Sequence, residues 1–273
     1  MEVGYSVLFC DRARSEDRMA KSNRSSGEEA PFGFSDAWLR ERCELINSES
    51  SAFSSYMVDL TENCSIPCEE ACVMVVRPTS KTTADACLRE IEAVKFDTFT
   101  SARGKVLNAH TRHIAFLGEE ARSPDASTGE HTVLEWSQIP ATERARQELD
   151  ELLGGLPHVR SGCALKYPDL QKCGIGWHGD GERRQTIVYR VGSSSSTRPL
   201  CFQWYSQGET VGPVVRVHLE HGDYVVSSSK AVGKDWRLRK VPTLRHATGF
   251  LSHGAAPRAT AKAEKRKRGP GGM

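Results

Sequence analysis

Short apolar and β-branched runs, separated by Gly, Ser and Pro, fill the sequence from Gly162 to Gly249. The runs are CALKY, GIGWH, QTIVYRV, LCFQWY, VVRVHL, DYVVSSS and VPTLRHATG. Strands of this length, bounded by turn residues, are typical of β-sandwiches and barrels. Helical periodicity occurs earlier in the chain, at 35–46, 84–96 and 140–155. The sequence therefore predicts a mainly β fold with flanking helices.

Composition and charge limit the compartment and the partners. A chain of 273 residues with 38% hydrophobic content suffices for one large domain with some unpacked segments. Its net charge of +2 gives no global basic field, so a nucleic acid would have to be recognised through local patches. Nine cysteines show no obvious disulfide framework, and no leader or apolar run of ~18 residues is present. These features predict an intracellular, reducing location and no membrane partner.

Polar and basic stretches predict the segment boundaries. Residues 1–65 are expected to form an N-terminal segment, disordered over 15–30 and containing a short helix. The main domain is expected at 66–253 and a disordered basic tail at 254–273. In the tail, the block from Lys265 to Arg268 indicates nuclear import or nucleic-acid contact, and a solubilising end is the alternative.

The stretch CGIGWHGDGERR contains His178 and Asp180, two positions apart at the end of a predicted strand. In an extended chain, residues i and i+2 point to the same face, so the imidazole and the carboxylate can meet one ion. Two imidazoles and one carboxylate form the facial triad of non-haem Fe(II) sites. His-x-Asp also occurs in many proteins without a metal, so the motif names candidate ligands and requires a third.

Two basic features accompany this motif. Arg239 and Arg245 are six positions apart in a predicted extended segment, so they would share one face. Guanidinium groups bind carboxylates through paired hydrogen bonds, as a dicarboxylate cosubstrate requires, although a solvated basic strand is the alternative. Upstream, RGKVLNAHTRHIAF contains Arg112 and His113. These side chains could contact phosphates or a polar substrate, or they could lie in a solvated loop.

The order of these motifs resembles the AlkB-like branch of the 2-oxoglutarate and Fe(II)-dependent dioxygenases, including AlkB-type proteins of large DNA viruses and algae. The matching pieces are an apolar strand from Leu165 closing on Tyr167, HGDGERR, Phe202-Gln203, LEHGD at 219–223, and Arg239-x5-Arg245 running into Ala-x-Gly. A counterpart of RGKVLNAHTRH precedes this core in those proteins, so the resemblance extends back to about residue 66. The Arg-x5-Arg motif after His-x-Asp separates AlkB relatives from other members of the superfamily.

The resemblance implies a double-stranded β-helix, or jelly roll, that binds Fe(II) and 2-oxoglutarate. The implied roles are iron ligation by His178 and Asp180, hydrogen bonding of 2-oxoglutarate by Tyr167, pairing of its distal carboxylate with Arg245, and a nearby position for Arg239. Trp177 and Trp204 are candidates to line the pocket, where a flat base could stack, although packing in the core is the more common fate of a Trp.

The sequence departs from the family pattern at two positions. The family has a third ligand, a His, about a dozen residues after the Gly-Asp turn, but SSSKAVGKDWRLR contains none. Asp235, twelve residues after Asp223, is the expected third ligand, with an open or water-filled position as the alternative. His246 is expected to point away from the site if its neighbour Arg245 points inward. The second departure is Leu165, where the family usually has a side chain able to reach the cosubstrate.

These observations predict a monomeric 2-oxoglutarate-dependent dioxygenase, an oxidoreductase that hydroxylates N-alkyl groups of alkylated DNA or RNA bases, as in DNA repair. A hydroxylated N-methyl group decomposes to formaldehyde and the demethylated base. The alternatives are a protein or small-molecule hydroxylase of the same fold and a catalytically inactive nucleic-acid-binding module. The basic tail and the segment with Arg112 and His113 favour nucleic acid.

Overall fold

The computed structural model describes residues 2–13, 26–102, 105–192 and 198–249. Most of the predicted disordered stretch 15–30 and the whole predicted tail 254–273 lie outside these ranges. Among the described residues, no helix combines the length and the apolar composition that crossing a membrane requires.

Strands outnumber helices in the described residues. The strands are β1 (Gly4–Cys10), β2 (Arg12–Ala13), β3 (Ser26–Gly27), β4 (Phe53–Asp59), β5 (Cys72–Pro78), β6 (Phe99–Ala102), β7 (Lys105–Asn108), β8 (His113–Gly118), β9 (Val133–Glu135), β10 (Ser161–Tyr167), β11 (Gly174–His178), β12 (Thr186–Val191), β13 (Leu200–Ser206), β14 (Glu209–Val217), β15 (Tyr224–Ser227) and β16 (Thr243–Gly249). The helices are α1 (Asp36–Glu49), α2 (Thr82–Ala93), α3 (Pro140–Leu152) and α4 (Ser229–Val232), with 3₁₀ turns at Thr61–Asn63 and Trp136–Gln138.

Two sheets contain most of these strands, while β2 pairs with β3 and β6 pairs with β7 in separate two-stranded sheets. The major sheet has eight strands in the order β4-β5-β15-β12-β1-β10-β8-β9. The minor sheet has four strands in the order β11-β16-β13-β14. In the major sheet β9 pairs with β8 in parallel, and the other pairings are antiparallel. The predicted mainly β fold with flanking helices is confirmed.

The two faces of the major sheet bury different partners. On β5, Met74 and Val76 belong to the core shared with α1, α2 and α3. Val73 and Val75 point the other way and pack with Trp204 of the minor sheet. This alternation is the period of two that an extended chain imposes. The helices α1, α2 and α3 therefore cover one face, and the minor sheet covers part of the other.

Trp204 joins the two sheets through its indole ring. The side chain is buried, and its Nε1 donates a hydrogen bond of 2.7 Å to the Leu60 carbonyl oxygen. We expect Trp204→Phe to lower the free energy of unfolding by about 2–4 kcal/mol, because it leaves that carbonyl unpaired and the site underfilled. Urea denaturation measures the change. Trp38→Phe on α1, where the indole is only partly buried, is the control and should cost under about 1 kcal/mol.

β1 lies at the centre of the major sheet, between β10 and β12. Gly4 is opposite Tyr167 on one side, and Cys10 is opposite Thr186 on the other. β4 also belongs to this sheet, at its edge beside β5. The boundary predicted at residue 66 therefore divides the sheet, because the preceding segment supplies β1 and β4.

The short helix predicted within that segment is α1. The Ser35 hydroxyl oxygen accepts a hydrogen bond of 3.1 Å from the Trp38 backbone N–H, which satisfies one free donor of the first turn. Leu39, Cys43 and Ile46 are buried against the major sheet. α1 is thus part of the packed core.

Candidate active site

A cavity of about 740 Å³ lies between the major and minor sheets. Inward-facing residues of β1, β8, β10 and β12 line it on the major-sheet side, and residues of β11, β13 and β16 line it on the minor-sheet side. Its lining combines apolar side chains with a few polar groups, as in sites for small molecules or single bases. The interface of the sheets is therefore the candidate site.

Three side chains at this cavity can hold a metal ion: His178, Asp180 and His246, called the metal group below. One ligand atom from each lies within 4.8 Å of the others. The Nε2 atoms of both imidazoles are 3.8 Å from Asp180 Oδ1. His178 and His246 are opposite each other on the paired strands β11 and β16, so strand pairing brings the two rings together. Two imidazoles and one carboxylate match the facial triad of non-haem iron.

Backbone hydrogen bonds orient both rings. His178 Nδ1 donates to the Gly176 carbonyl oxygen at 2.8 Å, which leaves the Nε2 lone pair directed at the metal group. His246 makes a backbone hydrogen bond with Ala231. Burial, with repulsion from His246, lowers the pKa of His178 to about 4, and burial also lowers the pKa of His246. Both imidazoles are therefore neutral at pH 7, which is the form that ligates a metal.

Asp180 is kept ionised by a buried cation. Burial by itself would raise the pKa of Asp180, but the Arg183 guanidinium and weaker neighbouring charges hold it below its usual value. Arg183 Nε is 3.8 Å from Asp180 Oδ2, and the Thr186 hydroxyl donates to the same oxygen at 3.4 Å. Arg183 also pairs with Glu182 and donates to Cys10 Sγ at 3.5 Å. Fixed protein groups thus occupy Oδ2, while Oδ1 faces the imidazoles.

The third member of the metal group differs from the expected Asp235. Asp235 Oδ2 pairs with Lys230 Nζ at 2.7 Å and does not join the group. His246 takes the place instead. The assumption that Arg245 points inward is corrected as well, because its guanidinium lies 3.9 Å above the Tyr205 ring and outside the cavity lining.

Arg239 does not reach the cavity either. It is exposed and donates to the Gln207 carbonyl oxygen at 2.8 Å. The strand β16 begins only at Thr243, so the segment between the two arginines is not extended. The even spacing of Arg239 and Arg245 therefore does not place them on one face.

The remaining predicted site residues divide between the cavity and its surroundings. Tyr167, Trp177 and Arg112 line the cavity. His113 does not; it lies opposite Lys166 on the strand pair β8–β10. Burial and the Lys166 charge lower the pKa of His113. His131, which the sequence prediction missed, lines the cavity and stacks on Phe99 at 4.7 Å between ring centroids.

Two buried arginines were also missed. Arg190 and Arg198 are 4% and 3% exposed. Arg190 lines the cavity, and the Arg198 guanidinium lies 3.7 Å above the ring of Tyr167. In the part of the chain that the structure describes, the Nε atoms of both arginines have no hydrogen-bond partner. The sequence does contain a signal, since QTIVYRV places an arginine within an otherwise apolar strand.

Comparison with known proteins identifies a related protein but no activity. No protein-family model matches the chain. An uncharacterized protein of Acanthamoeba polyphaga mimivirus is 34% identical to it over 185 residues, which are 67% of this chain and 71% of that protein. The function therefore has to be argued from the site.

Proposed function

The chain belongs to the family of the uncharacterized mimivirus protein, whose name states no activity, and from the chain's own site we propose an Fe(II)- and 2-oxoglutarate-dependent dioxygenase. The observation that carries the proposal is the metal group at the wall of the cavity between the two sheets. Three protein ligands on one side of an ion leave positions for a cosubstrate and dioxygen.

The residues present fit Fe(II). The metal group would hold the ion through two neutral imidazoles and one carboxylate, a donor set that suits non-haem Fe(II). When bound, Fe(II) together with 2-oxoglutarate and dioxygen supplies the oxidising power to hydroxylate a C–H bond. Arg183 and Thr186 orient the Asp180 carboxylate, and the Gly176 carbonyl orients His178.

The fold supports the same proposal. We take the two sheets as those of a double-stranded β-helix, with the metal group on the inner face of the minor sheet. Apolar side chains of the opposite sheet, including Leu165 and Val188, line the cavity and exclude water from the reacting carbon. The site then resembles the AlkB-like dioxygenases in its His-x-Asp motif and differs from them in its third ligand.

An alkylated nucleic-acid base is the proposed substrate. Trp177 offers a flat ring in the cavity, and Arg112 offers a cation close enough to act on the charges of His178 and Asp180. An aromatic face beside a cation suits a base that carries a phosphate. The basic block from Lys265 to Arg268 lies outside the described residues and adds charge that would favour DNA or RNA.

An anaerobic titration with Fe(II) and 2-oxoglutarate tests this proposal. We expect the visible charge-transfer band of the chelate in the wild type, because the metal group leaves room for a bidentate cosubstrate. His178→Ala should abolish the band, whereas His113→Ala, outside the cavity lining, should retain it. A folded wild type without a band would rule out the enzyme and leave the nucleic-acid-binding module.

Methylated oligonucleotides then test the substrate. With Fe(II), 2-oxoglutarate and dioxygen, we expect methylated DNA or RNA to stimulate succinate formation and to release formaldehyde. Cosubstrate turnover that methylated DNA and RNA leave unchanged would assign the activity to protein side chains or small molecules.

A further inference from the structure

Arg190 is a buried cation that faces the cavity, and among the described residues no carboxylate pairs with it. Its Nη2 donates to the Arg198 carbonyl oxygen at 3.1 Å, and its Nε has no partner within the same ranges. Asp223 acts on its charge, but that carboxylate is held by Arg77 through hydrogen bonds of 3.0 Å and 2.7 Å. A guanidinium buried without a paired anion is unfavourable. Its charge is therefore available to an anionic group in the cavity.

The strand register places Arg190 away from the metal group. On β12, Thr186, Val188 and Arg190 all line the cavity, and Thr186 donates to Asp180 of the metal group. Four residues of strand separate the Cα atoms of Thr186 and Arg190 by about 13 Å. On β1, Ser6 is opposite Arg190 and also lines the cavity. An anion bound at Arg190 would thus lie at the far end of an elongated ligand whose near end reaches the metal group.

Tyr167 and Arg198 complete this end of the cavity. Tyr167 is opposite Gly4 on β1, two residues before Ser6. A Cβ atom on Gly4 would clash with Leu170 Cδ2 and lie 3.2 Å from Arg198 Nη1, so the glycine leaves room for both side chains. Arg198 stacks on Tyr167 and accepts the hydrogen bond of Arg190. Arg198 is therefore a positioning residue for both.

We propose that Arg190, with Ser6 and Tyr167, binds the distal carboxylate of an elongated dicarboxylate whose other end reaches the metal group. The proposal rests on the proposed function, since that dicarboxylate is the 2-oxo acid cosubstrate. Arg190 takes the role that the sequence assigned to Arg245. A guanidinium and two hydroxyl groups can saturate one carboxylate with hydrogen bonds.

Calorimetric titration of the metal-free protein with succinate, 2-oxoglutarate and butanoate tests the anion site alone. We expect the wild type to bind both dicarboxylates and to bind butanoate on the order of 100-fold more weakly, because butanoate lacks the second carboxylate. Arg190→Gln should weaken dicarboxylate binding on the order of 100-fold, and Arg190→Lys should weaken it less because the charge remains. The matched control Arg245→Gln should bind dicarboxylates like the wild type.

Cobalt(II) titration of the same variants separates this inference from the proposed function. Arg190→Gln should retain wild-type cobalt affinity, since it leaves the metal group intact. If the wild type binds cobalt but does not prefer dicarboxylates, the role of Arg190 is overturned and the proposed function is not. The role of Arg190 is also overturned if dicarboxylate binding falls in Arg245→Gln and not in Arg190→Gln. A wild type that prefers dicarboxylates but binds no metal contradicts the proposed dioxygenase and keeps the anion site. If Arg190→Gln does not fold, the role of Arg190 is decided by the dicarboxylate affinity of Arg190→Lys and by the wild-type preference for dicarboxylates over butanoate.

Discussion

His246→Ala is expected to lower the affinity for Fe(II) by at least about 100-fold, because it removes one of three protein ligands, and losing even a group that only orients a ligand costs 10–100-fold. The neutral, partly buried imidazole has no substitute within the metal group. Competition with a fluorescent chelator under anaerobic conditions measures the affinity, and the charge-transfer band with 2-oxoglutarate should disappear in parallel.

Asp235→Asn is the matched control for this prediction. Its carboxylate pairs with Lys230 outside the metal group, so the variant should bind Fe(II) within about threefold of the wild type. If Asp235→Asn lost the metal while His246→Ala kept it, the third ligand would be the carboxylate that the sequence predicted. Loss in both variants would instead place Asp235 in an essential supporting role.

Arg183→Met is expected to lower the free energy of unfolding by about 3–5 kcal/mol at pH 8, because it leaves one buried and one partly buried carboxylate without their cation. Arg183 is 5% exposed and pairs with Asp180 and Glu182. The neighbouring Arg184→Met is the control. Arg184 is more exposed and pairs with Glu29, so its loss should cost under about 1 kcal/mol. Equal losses in the two variants would contradict the prediction.

The cost of Arg183→Met should depend on pH in a defined direction. In the wild type, Arg183 holds the pKa of Asp180 below its usual value. The ion pair therefore contributes its full stabilisation at a pH above the pKa of Asp180 in the unfolded chain. This stabilisation is lost as the pH falls through the pKa of Asp180 in the folded protein. In the variant the largest charge that opposes the effect of burial is gone, so the pKa of Asp180 rises. The folded variant then binds protons more readily than the folded wild type, so the variant should be least destabilised, relative to the wild type, at pH 5. Urea denaturation between pH 5 and pH 8 measures this trend.

The local features of the site could be predicted from the sequence. The strand β11 ends at His178, and Asp180 follows only two residues later, so the short motif keeps the two side chains together, with His178 Nε2 3.8 Å from Asp180 Oδ1. The helix α1 was predictable for the same reason, since its cap and its apolar face lie within one segment. Each of these conclusions depends on neighbours in the chain.

Features that depend on distant partners could not be predicted in this way. In the sequence, the stretch from Val3 to Cys10 is only a short apolar run. Its central position in the major sheet depends on pairing with β10 and β12, which lie more than a hundred residues later in the chain. The inward direction of His246 depends on where β16 begins, which decides the face of every following residue. Asp235 forms an ion pair with Lys230, five residues earlier in the chain, and the spacing of candidate ligands does not reveal such a pair.

The central position of β1 makes the order of synthesis matter. A growing chain releases β1 early, yet its neighbours β10 and β12 follow only at Ser161–Tyr167 and Thr186–Val191, and His246 comes later still. Contacts between residues so distant in sequence are slow to form, and an unpaired apolar strand is a site for misassociation in the meantime. The nascent chain therefore holds β1 without its partners until most of the later strands have emerged, and the metal group can assemble only after His246 has been synthesised.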